Sequence, residues 1–451
     1  ISESITPAVA VTIYGDKSFI LRCSFIGYQD TLFDAEGRHY YKNCYIQGEI
    51  DFIFGGGQSY FENCSLNATG RNKDLPGFVT AQARDSPNNP SGFVFEGGSL
   101  VGNGAVNLGR AWRTYSRVIF HKTYFSSVVT PQGWNNFGHD GQDKAIDCGG
   151  KDVSYTITVG SSGKVTFKTI QAAIDSVKNN NNQWVKIHIK AGSYIEKVHI
   201  PIEKPCIILE GEGSQNTIIS FSDNKGTSSS ATFVSSPPNV VMSDITFQNT
   251  YNVNNKTQKV SPAVAALIQG DKSFIFRCSF IGYQDTLFDA YGRHYYKDCY
   301  IQGEVDFIFG RAQSYYENCL LNATGRNLPG FVTAQGRDSP DSPSGFVFEG
   351  GSLVGNDKVN LGRAWRAYSR VIFHNTNFSS VVTPQGWNSF GRAGQESKIT
   401  YAEVDCKGPG ADTSKRVPWL KKLTPSQLEE FSLASFINKD NWLDNLPVIS
   451  K

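Results

Sequence analysis

The 451-residue chain is longer than one ordinary globular domain and suits two units or one elongated repeat. Its 43 basic and 41 acidic residues leave a net charge of +2 and a pI near 8.0, which excludes the strong field of a nucleic-acid binder. No run of about 18 apolar residues occurs, so a spanning helix is excluded, and nine cysteines without a Cys-x-x-Cys pair or a His at zinc spacing argue against a metal.

Aromatics reach 13%, and 44 glycines fall among Asn-, Ser- and Thr-rich corners, the balance of a β-rich protein with many tight turns. The opening Ile1-Ser-Glu-Ser has neither Met nor the features of a signal peptide, which suggests a processed or incomplete N-terminus.

In chain order, the first predicted unit is residues 1–150. It opens inside a repeat at Thr6-Pro-Ala-Val-Ala and places Cys23, Cys44 and Cys64 at spacings of 21 and 20 (44 − 23, 64 − 44). Short aromatic and β-branched runs punctuated by Gly and Asn at this interval predict an all-β fold, a right-handed parallel β-helix whose coils stack at roughly 4.8 Å. The cysteines then fall inside as small apolar ladder residues rather than disulfides or metal ligands. Residues 5 to about 142 recur at about 260 to 395, with Asp51 matching Asp306 at an offset of 255. The first copy lacks both the lead-in and the tail of the second, so it is predicted to have open ends.

Residues 144–155 read as a junction, and 151–451 as a complete unit. Thr166 to Val177 puts Ile170, Ile174 and Val177 on one helical face, a predicted N-terminal cap. Strands begin at Val185-Lys-Ile-His-Ile and Cys206-Ile-Ile-Leu. At the far end Thr424-Pro-Ser-Gln427 offers an N-cap, Pro at N1 and Gln at N3, and the helix it starts is predicted to cover the other end.

Between the caps lies the chemistry. Asp285 and Asp306 are 21 residues apart (306 − 285), as are Asp30 and Asp51 (51 − 30), and Cys278 to Cys299 is the same interval (299 − 278). Each Asp therefore falls seven residues past a ladder cysteine, at one phase of neighbouring coils. Two carboxylates so placed do not both ionise easily, which provides an acid and a base or nucleophile together. Gln284 adds an amide donor, Leu361-Gly-Arg363-Ala-Trp365 a cation and an aromatic face, and Gly386-Trp387 a second face. His294 and its copy His39 lie between the Asp residues and read as structural or surface groups.

The runs Gly192-Ser-Tyr194-Ile-Glu196, Gly282-Tyr-Gln-Asp-Thr-Leu287, Asp306-Phe-Ile-Phe-Gly310, Thr333-Ala-Gln-Gly-Arg337, Leu361-Gly-Arg-Ala-Trp365 and Pro384-Gln-Gly-Trp387 resemble the signature set of plant pectin methylesterases. The resemblance covers about Thr156 to Leu443 and implies the same β-helix fold. It implies Asp306 as nucleophile toward a galacturonate methyl ester, Asp285 as general acid then base, Gln284 as oxyanion donor and Arg363 as the orienting cation. Trp365, Trp387 and Phe309 become substrate-binding residues, and no cofactor or metal is implied.

The first copy keeps the counterparts Gln29, Asp30, Asp51, Arg110, Trp112 and Trp134. Activity is expected mainly from the second unit, because the first lacks the scaffold to hold its carboxylates. Pro262, like Pro7 in the first copy, stands where the family usually has a Gln donor, and Gly-Arg-Ala-Trp replaces Gly-Arg-Pro-Trp.

The implied partner is methyl-esterified homogalacturonan, with a proteinaceous inhibitor as a second partner, no nucleic acid or membrane, and a monomeric state. The implied location is the cell wall after secretion, and Asn67-Ala-Thr, Asn255-Lys-Thr, Asn322-Ala-Thr and Asn377-Phe-Ser fit a glycosylation sequon. Two competing readings are a β-helix polygalacturonase, since a carboxylate pair also cleaves glycosidic bonds, and a wall-polysaccharide binder without turnover.

Overall fold

The 20- and 21-residue spacing is the length of one coil. In the computed structural model, which describes residues 7–70, 76–86, 89–131, 133–135, 148–254, 260–325 and 329–447, the chain divides into units of residues 1–143 and 144–451. Most of the junction and the sequon at Asn255 lie outside the described residues. Each unit is a right-handed parallel β-helix with three strands per coil, so strands pair in parallel with the strand three positions on, except that Val153–Val159, the first strand of the second unit, pairs with the next, Trp184–Ile189. Among the described residues the three sheets of the second unit hold ten, eight and eight strands, and those of the first six, five and five.

Burial alternates along strands with one face inward and one outward, such as Tyr45–Gly48 and Gln58–Glu62, as the two-residue period of a strand requires. Inward aromatic side chains stack from coil to coil: Tyr296 on Tyr316 at 4.6 Å, Tyr316 on Phe348 at 4.5 Å and Phe348 on Phe373 at 4.4 Å. The first unit repeats this with Tyr41, Phe61, Phe95 and Phe120. Cys278, Cys299 and Cys319 are buried free thiols on the ladder, each preceded by a residue in the left-handed region, Arg277, Asp298 and Asn318 with φ of +50°, +53° and +53°. That corner turns the chain from one sheet into the next, and Asn and Asp tolerate it because their short side chains bond locally.

In the first unit Cys44 and Cys64 are buried but Cys23, expected inside, is exposed, and two further cysteines leave the ladder pattern. Cys148 is bonded to Cys206 within the second unit, which ties residues just before the expected boundary at 150 to that unit.

The N-terminal cap is a helix at Ile170–Ser176, shorter than the predicted span because Thr169 already serves as N-cap to the Ala172 N–H. The Glu196 carboxylate, from the Gly192–Glu196 run, accepts from the Ile170 and Gln171 N–H groups at 2.9 and 3.2 Å. A carboxylate there satisfies orphan donors at the positive end of the helix.

At the far end, Pro425–Glu429 is a helix with the predicted capping box between Thr424 and Gln427. Its position corrects the expectation that it covers the end of the core. The C-terminal segment, through Phe436, Ile437 and Trp442, packs on the outward side chains Tyr295, Tyr315, Val347 and Ile372 along the ten-stranded sheet. Val417, Trp419 and Leu420 instead pack against the main core, whose last strand is Thr400–Val404.

In the first unit no helix occurs among the described residues, and Tyr14, Phe19, Ile26, Ile119 and Tyr124 on its terminal strands and their approaches are exposed.

Candidate active site

The site is carried by the sheet containing Leu287–Asp289, Val305–Gly310, Gly330–Gln335, Val359–Ala364 and Trp387–Asn388. Register aligns Phe288, Phe309, Ala334, Arg363 and Asn388 in one row across five coils.

Asp285 and Asp306 both sit in the left-handed region, with φ of +59° and +49°. Asp285 N–H bonds the Val305 carbonyl at 3.0 Å, so the coils are joined at Asp285 itself and one residue before Asp306. Asp306 lies in a β-bulge: Val305 pairs with Phe331 and Ile308 with Thr333, leaving Asp306 and Phe307 opposite the single residue Val332. A bulge with a non-glycine residue at positive φ is the kind of local strain that concentrates at active sites and re-aims a side chain.

Both carboxylates are 8% exposed. Arg363 Nε donates to Asp306 Oδ1 and Oδ2 at 2.7 and 3.0 Å, and Nη2 also bonds Oδ2. The guanidinium packs on two rings, 4.7 Å from the Phe331 centroid and 4.4 Å from that of Phe390. Burial, then the nearby Asp306 charge, pushes the Asp285 carboxyl up to about 7 against the opposing pull of Arg363. Burial also raises Asp306, but its direct bonds to Arg363 offset part of that rise. Two chemically identical groups are thus differentiated, one cation-bound carboxylate beside one carboxyl poised to hold a proton near neutrality.

Gln284 is half-buried next to Asp285, and its carbonyl accepts from Ala263 N–H at 3.2 Å. Pro262, immediately before Ala263, therefore stands one coil ahead of Gln284.

Trp365 is half-buried with its ring edge-on to Phe309 at 6.3 Å, and Phe309 stacks on Phe288 at 4.4 Å. Phe309 is 5% exposed, so most of the aromatic surface open to a ligand here belongs to Phe288 and Trp365. Trp387 corrects the expectation of a second sugar-stacking face. It is 1% exposed, its ring centroid lies 4.3 Å from that of Tyr401, and its indole N–H donates to Glu403 Oε1 at 2.8 Å. An aromatic residue in a site motif was read as a surface, whereas its strand position turns it into the core.

His294 is structural. Its ring nitrogens face Asp289 Oδ1 at 2.5 Å and the Gly270 carbonyl at 3.0 Å, and the Tyr296 and Tyr316 hydroxyls donate to the same Asp289 carboxylate at 2.9 and 2.7 Å. Phe331 and Phe390 went unnoticed in the sequence; both come from other coils and carry no periodic signal.

The first copy reproduces the polar geometry. Asp30 and Asp51 have φ of +60° and +48°, Arg110 Nε donates to Asp51 at 2.8 and 3.0 Å, and Phe78 lies 4.6 Å from the guanidinium. Gln29 bridges Ile50 as Gln284 bridges Val305, and Trp112 lies beside Phe54 at 5.9 Å. Its surroundings differ: Asp30 is half-exposed, and Trp134 is 44% exposed where Trp387 is 1%.

A family model described as Pectinesterase matches residues 3–148 and 156–440. An Arabidopsis thaliana protein, pectinesterase 10, itself named by inference, is 46% identical over 307 residues, covering 67% of this chain and 91% of the relative. Pectinesterase QRT1 of the same plant is 38% identical over 304 residues, 65% of this chain and 80% of that one. Among solved structures, a pectin methylesterase from carrot superposes with a TM-score of 0.61 at 32% identity, covering 64% of this chain and 94% of the other. One from Aspergillus niger gives 0.57 at 26% identity, with 65% and 97% covered.

Proposed function

The chain belongs to the pectinesterase family and is a carboxylic ester hydrolase, and from that premise we propose that Asp306 and Asp285 divide the hydrolysis of galacturonate methyl esters in pectin between them. Asp306, kept ionised by Arg363, attacks the ester carbonyl carbon. Gln284 donates to the oxyanion that forms. As the tetrahedral intermediate collapses, the C–O bond to the methoxy group breaks and Asp285 gives its proton to the departing oxygen, releasing methanol. Asp285, now a carboxylate, takes a proton from water, whose oxygen attacks the Asp306 anhydride. That step breaks the anhydride bond, returns Asp306 to its carboxylate and Asp285 to its acid, and frees a galacturonic acid group, which gives its proton to solvent to become the carboxylate. Trp365 and Phe309, with Phe288, form the aromatic wall for the sugar chain; Trp387 is left out of it.

The observation that carries this assignment is the forked Arg363–Asp306 bond beside a carboxyl lifted to about 7. The unit boundary and the first copy's reserve of Gln29, Asp30, Asp51, Arg110, Trp112 and Trp134 belong to the same reading: turnover resides in the second unit. Family membership supports the cell wall as the place of action, and the Cys148–Cys206 disulfide supports passage through an oxidising, secretory compartment. A monomeric state and capture by a proteinaceous inhibitor complete the proposal.

The test is methanol release from esterified pectin by the whole chain, beside Asp306→Ala and Asp51→Ala. Loss of release with Asp306→Ala alone is expected, without new reducing ends at any stage. Unchanged release by Asp306→Ala refutes the assignment, new reducing ends would favour the polygalacturonase reading, and no methanol from wild type would leave only a binder.

A further inference from the structure

Behind the Arg363 strand lies a charged pair with no place in the mechanism above. Glu403 is on the last strand of the ten-stranded sheet, Thr400–Val404, and its side chain turns into the core, where it is at least as buried as that of its partner Arg416. Arg416 Nε and Nη2 donate to the two Glu403 oxygens at 2.7 and 3.0 Å. The remaining guanidinium capacity goes to backbone: Nη1 to the Thr383 and Pro384 carbonyls, both at 3.1 Å, and Nη2 to the Gly410 carbonyl at 2.6 Å. Every acceptor is thus fixed by a rigid planar fork.

The pair reaches the site through Trp387. Glu403 Oε1 also accepts the Trp387 indole N–H. Trp387 pairs in register with Gly362, and a Cβ on Gly362 would lie 3.2 Å from the Trp387 ring, so the ring directly underlies the residue before Arg363. The Leu361 N–H is held by the Gly386 carbonyl at 2.7 Å, and Gly386, at φ +68°, has Arg416 Cδ 2.6 Å from where its Cβ would be. Only glycine admits both that backbone and that guanidinium stem. Three residues beyond Trp387, the Phe390 ring packs on the Arg363 guanidinium at 4.4 Å.

Among its described residues the first copy shows no counterpart of this support. Aligned on Asp147-Cys148 with Asp405-Cys406, it has Ala145 in the place of Glu403, and no tail supplies an Arg416; its Trp134 lies open. The Arg110–Asp51 contact still forms there. What the second unit adds is therefore not the contact but its retention, the preorganisation that catalysis by a fixed cation requires.

We propose that the Glu403–Arg416 pair is a positioning brace for the reaction, holding Trp387 against the Arg363 strand so that Arg363 keeps Asp306 aimed during turnover. Neither residue touches substrate, and the proposal rests on the esterase reading of Asp306.

The test uses the full chain. Removing one charge would leave the other buried and unpaired, so Glu403→Gln is combined with Arg416→Met, and Trp387→Phe is made separately to keep the ring and delete its N–H. Near-ultraviolet circular dichroism reports folding. Expected are a roughly tenfold fall in kcat with KM little changed, and an acid limb of the kcat/KM profile moved up by about half a pH unit, since a loosened Arg363 favours the Asp306 carboxylate less. A folded variant with an unmoved acid limb, whether or not kcat falls, overturns the proposal. If the double variant does not fold, Trp387→Phe decides by the same criterion. Absence of methanol release from the wild-type chain would instead condemn the esterase reading itself.

Discussion

Asp285 and Asp306 share a backbone conformation and a depth of burial, yet only Asp306 touches a cation. That asymmetry predicts the pH profile. Asp285 must enter the first step protonated, so activity should decline on the alkaline side as pH rises through about 7, with the acid limb set by Asp306. The same shift has a cost in stability. A carboxyl whose folded pKa is raised stabilises the fold only while protonated, so that contribution is whole below its ordinary value near 3.8 and is lost as pH climbs to about 7. Asp285→Asn should therefore abolish turnover while making the protein more resistant to urea at pH 8, by up to about 4 kcal/mol at 1.36 kcal/mol per unit; equal urea midpoints at pH 8 would contradict this. At this scale the carboxylate pair was legible because its spacing equals one coil. The exposure of Trp387 was not, since a motif says which residues gather and nothing about which way a ring turns.

Among elements, the coil corners and the inward ladder show how far sequence periodicity reaches. Cysteines at 21 and 20 residues located the ladder, and the residue before each proves to be a left-handed corner, which the Asp-Cys and Asn-Cys pairs hint at and Arg277-Cys does not. The buried Asp289 cluster left no periodic trace, because it depends on side chains meeting across coils. There the two copies differ by one atom. Tyr316 satisfies Asp289 Oδ2, whereas Phe61 stands at its equivalent and Asp34 Oδ2 is buried without a partner. Tyr316→Phe should destabilise the second unit by about 1–3 kcal/mol, and Phe61→Tyr should stabilise the first. Two thermal transitions followed by calorimetry would check both; insensitivity of the upper one to Tyr316→Phe would refute the argument. The C-terminal helix illustrates the opposite limit: its capping box was readable in four residues, but the surface it packs on is assembled from four distant strands.

At the level of the whole molecule, a chain beginning at residue 144 should release methanol at the rate of the full chain, because the carboxylates, Arg363, the N-terminal cap, the C-terminal segment and the Arg416 brace all lie within it. A rate below half would show that the first unit contributes. Duplication was the most legible feature of the sequence, since similarity at an offset of 255 needs no structure to be seen. The seam was less so. Homology assigns Cys148 to the end of the first copy, where it matches Cys406, while its covalent partner is Cys206 in the second.

That single bond decides where the molecule can be cut. It closes a loop of 58 residues, worth about 4 kcal/mol by chain entropy, so mild reduction should lower the unfolding midpoint of the second unit, and its failure to do so would deny the bond a structural role. Excision at residue 151, the border that sequence similarity recommends, would strand Cys206 as an odd thiol in an oxidising compartment and invite covalent pairing between molecules. Excision at 144 keeps the thiol count of the unit even at that seam, so chemistry rather than ancestry marks the proper edge.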